Sequence, residues 1–354
     1  MAPPKILVGL LFLTLLAGCA DTGYYLQSVA GHLQMMQAAR PVTQWLGDDT
    51  VAPALKQRLA LTQRIRSFGV TELQLPDNAS YQRYADLPRR FAVWNVVAAP
   101  EFSLTVKTWC FLVTGCVGYR GYFTEAQARE QGRELKQQGL EAFVYGVPAY
   151  STLGWMNWAG GDPLLSTFIQ YPEGELARLI FHELAHQVLY VKDDTVFNES
   201  FATAVERLGG ARWLAQQGSA TARQEYAQFD GRRHQFRALA LATRDRLLAV
   251  YDQSPALDRT ELRELKSRAM DDFRAEYARL KTGWGGYSGY DTWVAGANNA
   301  AFGAQAAYDE LVPAFERLFE REGQNWQRFY DAVRRLAHMP AAQRLHELKT
   351  IASE

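Results

Sequence analysis

Three cysteines in 354 residues exclude a disulfide-dense secreted scaffold, and no Cys-x-x-Cys pair is present to suggest a zinc knuckle. Lys+Arg and Asp+Glu both number 38, so neither sign of charge is in excess and no like-charge run offers a nucleic-acid footprint. No repeat of 20 to 50 residues and no low-complexity tract is apparent, which sets aside solenoids and disordered arrays. The longest apolar run, Ile6 to Leu16, is too short to cross a hydrocarbon core of roughly 30 Å as a helix. What is present is a chain with 48% hydrophobic and 12% aromatic residues, enough to bury a substantial core.

The N-terminus reads as a targeting segment, with a positive charge at Lys5, the apolar run, and small residues before Cys19. Leu16-Ala17-Gly18-Cys19 resembles the bacterial lipobox. That resemblance implies a signal peptide over residues 1–18, acylation of Cys19 with palmitate among the chains, and a mature chain of 19–354. An ordinary signal peptide with an incidental cysteine is the alternative. Ala20 stands where an Asp would resemble an inner-membrane retention signal, so the expected location is the outer membrane, facing the periplasm. With Cys19 assigned, Cys110 and Cys116 remain as an even pair in an oxidising compartment, and a hairpin closed by a disulfide is expected.

Residues 19–354 are expected to form a single domain of α+β class, predominantly helical. Its strands fall at about 90–170, and a helical part that carries the motif described next covers about 171–354. Tyr24 to Ala39 and Asp48 to Ser67 read as helices, while Phe91 to Tyr122 is β-branched, aromatic and punctuated by Pro and Gly. Thr124 caps a helix to about Gln138, with Gln127 placed to complete a capping box, and Ala142 to Tyr145 is strand-like. Pro163 to Ile169 reads as an edge strand or loop. Ala215 to Tyr251 and Arg259 to Leu280, parted by Ser254-Pro255, predict a long antiparallel helical hairpin with a solvated face that carries no site.

His182-Glu183-Leu184-Ala185-His186 carries the chemistry. Histidines four apart lie on one helix face, so both imidazoles can reach a cation at roughly 2.0 to 2.1 Å. Glu183 leans over the open position, where it can take a proton from the attacking water and later give it to the leaving amine. Six His and 21 Glu put the chance of this pattern at (6/354)² × (21/354) × 350, about 0.006 per chain, so the match is informative. Leu179, Ile180, Leu184, Val188 and Leu189 surround it with apolar residues that hold ligands rigidly. A single Zn2+ suits two imidazoles, one carboxylate and an open position.

For the third ligand, Glu199 lies in Asn198-Glu199-Ser200-Phe201-Ala202, which resembles the Asn-Glu-x-x-Ala element of gluzincins such as the aminopeptidase-N-like enzymes. The gap from His186 is shorter than in those enzymes, so the connecting turn must be tighter. Glu206, seven residues on, is the rival and is expected to act behind the ligands. The mature chain also resembles a family of predicted bacterial zinc aminopeptidase lipoproteins. The matching pieces are Tyr24 to His32, Asp162-Pro-Leu-Leu-Ser-Thr-Phe, Phe181 to Gln187, Asn198 to Ala202, and Tyr290 to Trp293 with Asn298-Asn299-Ala300. This implies a zincin-like core, aminopeptidase activity and a peptide substrate.

Peptide hydrolysis also needs a donor for the tetrahedral oxyanion. Tyr290, in the Gly-rich aromatic segment from Trp284, is the candidate, with Tyr287 behind it. Asn298 and Asn299 are expected to bind substrate backbone or to cap a helix, and Leu164 to Ile169 to pair with the substrate main chain. Two other functions compete with the aminopeptidase: an envelope metalloendopeptidase, and a non-catalytic lipoprotein acting as holdase or binding protein with a structural metal. Glu183 argues against the last, because a structural site has no use for a base beside its ligands. The oligomeric state is not legible.

Overall fold

The computed structural model describes residues 5–111, 114–253, 256–306 and 311–353, with only the backbone of 5–21 and 306. The Cys19 side chain and the lipidation expected there lie outside the described residues. In chain order the elements are α1 (Lys5–Ala38), β1 (Ala39–Pro41), α2 (Val42–Gly47), α3 (Pro53–Leu73), β2 (Arg83–Ala85), β3 (Val93–Pro100), β4 (Trp109–Phe111), β5 (Gly115–Val117) and β6 (Arg120–Tyr122). There follow α4 (Glu125–Gln137), β7 (Leu140–Val147), β8 (Leu164–Leu165), α5 (Glu173–Val188), α6 (Thr195–Gln216), α7 (Ala220–Tyr251) and α8 (Arg259–Gly283). The chain ends with α9 (Asp291–Gly296), α10 (Asn299–Ala306), α11 (Val312–Arg321), α12 (Trp326–Ala337) and α13 (Ala341–Ser353). The fold is predominantly helical with small sheets. Among the described residues no helix is long and apolar enough to cross a membrane.

Val-Val-Ala-Ala at 96–99 explains the central sheet. β3 pairs antiparallel with β6 on one side and β7 on the other. Successive side chains alternate faces, and both faces are covered: Val96 and Ala98 pack under α4 with Ala128 and Leu135, while Val97 and Ala99 meet Ala300 and Ala301 of α10. The larger core joins α3, α5, α6, α11, α12 and α13 around Phe181, Phe197, Phe201, Phe315 and Phe329. A third cluster, built on Phe236, Phe273 and Phe302, fills the α7–α8 hairpin and seats it on α9 and α10.

Four sequence expectations change. The second helix begins at Pro53 and not at Asp48, because proline at the first helical position fixes the start. Thr124 does cap α4, accepting from the Gln127 amide at 3.4 Å, but its hydroxyl donates to the Gln127 side chain, so the reciprocal box is not closed. Strand β8 is only Leu164–Leu165; it pairs parallel with β2 and is fully buried, so it offers no edge to a substrate. The helical hairpin is the fourth: α7 turns a face inward and lines a cavity beside the histidines.

Candidate metal centre and cleft

Helices α5 and α6 form the site because glycines let them approach. A Cβ on Gly209 would sit 2.6 Å from Leu73 Cδ1 and 3.1 Å from Phe181, and one on Gly210 would sit 2.8 Å from Arg178 Cγ. The connection 189–194 is tight, as the short gap requires, and Asn198 closes it from both sides. Its Oδ1 accepts from the Val191 amide at 2.8 Å and its Nδ2 donates to the Val191 carbonyl at 2.7 Å. Asp194 caps α6 by accepting from the Phe197 amide.

This turn brings His182, His186 and Glu199 together. The two Nε2 atoms are 3.2 Å apart, and Glu199 Oε2 lies 3.4 Å from His182 Nε2 and 3.7 Å from His186 Nε2. Tetrahedral bonds of 2.0 to 2.1 Å demand ligand separations of about 3.3 Å, and the circle through these three atoms has a radius of about 2.0 Å. The donor set therefore fits one cation with a position left open. Burial alone would raise the Glu199 carboxyl, but His186 and His182 outweigh it and hold it at about 2. Burial likewise opposes charge on His182, yet Glu199 and Glu206 push its pKa well up, so the pocket favours positive charge.

Glu206 stands behind His182. Its Oε2 is 3.0 Å from Nδ1, an ion-pair distance at which the ring N–H is not aimed straight at the oxygen, and this leaves Nε2 for the cation side. Arg178 pairs with the other carboxylate oxygen and, at 3.4 Å, with Asp230 of α7. Glu183 lies between the histidines in sequence and faces the cleft, and burial raises its pKa.

The cleft runs on both sides of His182 and Glu183. One arm, of about 550 Å³, is charged, with Glu175, Arg178, Glu206, Asp230 and Arg233 in its wall. The other, of about 480 Å³, is aromatic, with Tyr24, Tyr25, Phe111, Tyr119, Phe123 and Tyr150. Val147 and Ala149, where the chain leaves β7, border both. Cys110 and Cys116 are joined by a disulfide across the β4–β5 hairpin, directly opposite one another. That hairpin clamps the α5–α6 turn: the Cys116 amide donates to Asp193 at 2.6 Å, and Tyr190 donates to the Thr114 carbonyl at 3.1 Å.

Tyr290 lies in the charged arm, which His182 and Glu183 also line, while His186 and Glu199 line the other arm. Its ring stacks on Phe236 at 4.0 Å in the charged arm, where its hydroxyl senses Tyr287, Glu175, Arg178 and Arg232. Tyr287 packs edge-on against the Tyr290 ring, under Arg232. Asn298 caps α10 through the Ala301 amide, and Asn299, fully buried, donates to the carbonyls of Pro100 and Glu101, so neither faces the cleft. Tyr119, between β5 and β6, is the phenol that sequence reasoning missed. It lines the aromatic arm with all three candidate ligands and Glu183, and burial, with Glu199 next, keeps it protonated well above its ordinary range. No local signal marks it, because only pairing across the sheet turns it inward.

Fold and site together define a mostly helical α+β protein with a two-armed cleft over two histidines and a glutamate. The chain belongs to the family described as "Putative aminopeptidase", whose model matches residues 23–348. Peptidase activity is what this membership supports. No curated protein and no solved structure is significantly similar to the chain.

Proposed function

We propose that the protein is a zinc-dependent aminopeptidase of gluzincin type, anchored by a lipid on Cys19 to the bacterial envelope. The observation that carries this reading is the triangle of His182 Nε2, His186 Nε2 and Glu199 Oε2, whose sides of 3.2, 3.4 and 3.7 Å match one tetrahedral cation. Those three residues would hold the ion, which when bound supplies Lewis acidity to the scissile carbonyl and acidifies a water. Glu183 holds the proton of the attacking water on its carboxylate and passes it to the leaving amine. Tyr119 replaces Tyr290 as the oxyanion donor, since Tyr190 spends its hydroxyl on the Thr114 carbonyl. The main chain at Val147 to Ala149 replaces Leu164 to Ile169 as the segment that aligns the peptide, because it borders both arms.

A metalloendopeptidase is the second reading, favoured by the cleft's continuation on both sides of Glu183. The test is zinc analysis of the purified protein together with Glu183→Gln on a panel of aminoacyl and internally quenched peptides. The expected outcome is about one zinc per chain in both proteins and a loss of at least roughly 10² in kcat for the variant. Zinc in both with equal inertness across the panel would overturn the hydrolase reading. Activity abolished by N-acetylation of the substrate selects the aminopeptidase, and activity that survives selects the endopeptidase.

A further inference from the structure

Among the described residues seven large hydrophobic side chains are exposed, and six of them fall on two segments: Tyr25, Leu26, Val29 and Leu33 on α1, and Trp155 and Trp158 on the loop after β7. At 100° per residue the four on α1 occupy a stripe about 100° wide. The opposite side of the helix is where it meets the body. Met35 is fully buried there, and a Cβ on Gly31 would lie within 2.1 Å of the Phe123 ring. From Thr22 to Ala38 there is no Asp, Glu, Lys or Arg. The stripe is thus apolar, uncharged and turned away from the core.

The two segments are neighbours. Tyr24, Tyr25 and Ser28 of α1 and Tyr150, Ser151 and Leu153 of the loop wall the same aromatic arm. Arg83 ties their far ends: it donates to the Met36 carbonyl at 3.2 Å, and its Nη1 lies 2.8 Å from where a Gly160 Cβ would be. Leu26 is 65% exposed and Trp158 83%, so both reach beyond the rim. Tryptophan on an exposed apolar surface of this kind sits well at the level of lipid headgroups, with its apolar ring toward the acyl chains.

We propose that this face is a bilayer-contact surface, and that it seats the protein on phospholipid with the mouth of the aromatic arm at the headgroup level. The occupant is lipid, because Tyr25 is only six residues from Cys19, about 9 Å of helix. Any anchor there holds the stripe within interfacial depth. The inference rests on the proposed lipid anchor for this nearness, while the face itself is read from exposure and spacing.

The test uses the full chain as isolated from membranes, reconstituted in phosphatidylethanolamine–phosphatidylglycerol vesicles with and without bromine on the acyl chains. Brominated lipid is expected to quench the intrinsic fluorescence. Trp155→Phe with Trp158→Phe is expected to remove about half or more of that quenching, these being the two exposed tryptophans among the described residues. Leu26→Glu with Val29→Glu is expected to reduce quenching severalfold in protein that still co-floats with vesicles and melts as wild type by circular dichroism. Co-flotation without quenching means the lipid anchor stands alone and overturns the surface. Quenching unchanged in both double variants also overturns it. A shift from dimer to monomer in Leu26→Glu with Val29→Glu, with quenching unaltered, would assign the face to a second copy of the chain.

Discussion

Tyr119 illustrates how a single hydroxyl is selected by its competitors' engagements. Tyr190 borders the same arm but donates to the Thr114 carbonyl, whereas the Tyr119 phenol, beyond its burial, senses Glu199 and Glu183. A phenol kept protonated by burial beside Glu199 is a donor at every pH at which a peptide would be cut. Tyr119→Phe is therefore expected to lower kcat by roughly 10² to 10³ with little change in KM or zinc content, as for loss of one oxyanion donor. Tyr290→Phe is expected to stay within about threefold of wild type, since its ring packing on Phe236 is preserved. Steady-state kinetics on the substrate identified with the wild type separates the two; equal losses would return the role to Tyr290.

At the scale of elements, the α5–α6 turn decides whether Glu199 reaches the histidines. Asn198 satisfies both main-chain groups of Val191 and is itself buried, so its removal leaves the Val191 amide without this acceptor, while the Val191 carbonyl keeps the Asp194 amide at 3.4 Å. Asn198→Ala is expected to cost about 1 to 3 kcal/mol of stability from two lost bonds and the one amide left without its acceptor. Zinc affinity should fall with it, because the first turn of α6 carries the carboxylate. Urea denaturation and competition with a chromogenic chelator measure the two effects. A variant with normal stability and normal affinity would show that the helix pair holds itself together through its glycine contacts alone.

Across the whole molecule, the cleft arises where three separately packed units meet: the β6-β3-β7 sheet, the α5–α6 body and the α7–α8 hairpin. Glu175 sits at that junction. Its Oε1 is buried without a partner while Oε2 pairs with Arg233 of α7 at 2.5 Å, and burial raises its pKa to about 7. The sign follows from proton counting: between about pH 4.5 and 7 the folded chain keeps a proton that the unfolded chain has lost. Stability from this group is therefore lost as pH rises through that window, by no more than about 3 kcal/mol and less where Arg233 supports the carboxylate. Glu175→Gln is expected to gain stability relative to wild type at pH 7.5 over pH 5, read from urea midpoints at the two pH values. An identical wild-type-to-variant difference at both would place the ionised carboxylate comfortably in the Arg233 pair.

The sequence by itself determined the grouping of the proposed ligand pair and base, since His182, Glu183 and His186 lie within one helical turn and a half, where local geometry alone puts both imidazoles on one face. It also determined the α4 cap, the Cys110–Cys116 hairpin and the strand character of β3, all of which depend on contacts a few residues apart or on local composition. The tertiary structure decided what depends on distant segments. It drew Tyr119 into the aromatic arm and set Tyr290 in the charged one, buried Leu164–Leu165 against β2, and turned α7 from a solvated helix into a cleft wall. Burial and facing are set by which elements pack against one another, and a chain of 354 residues does not write those pairings into any single stretch of its sequence.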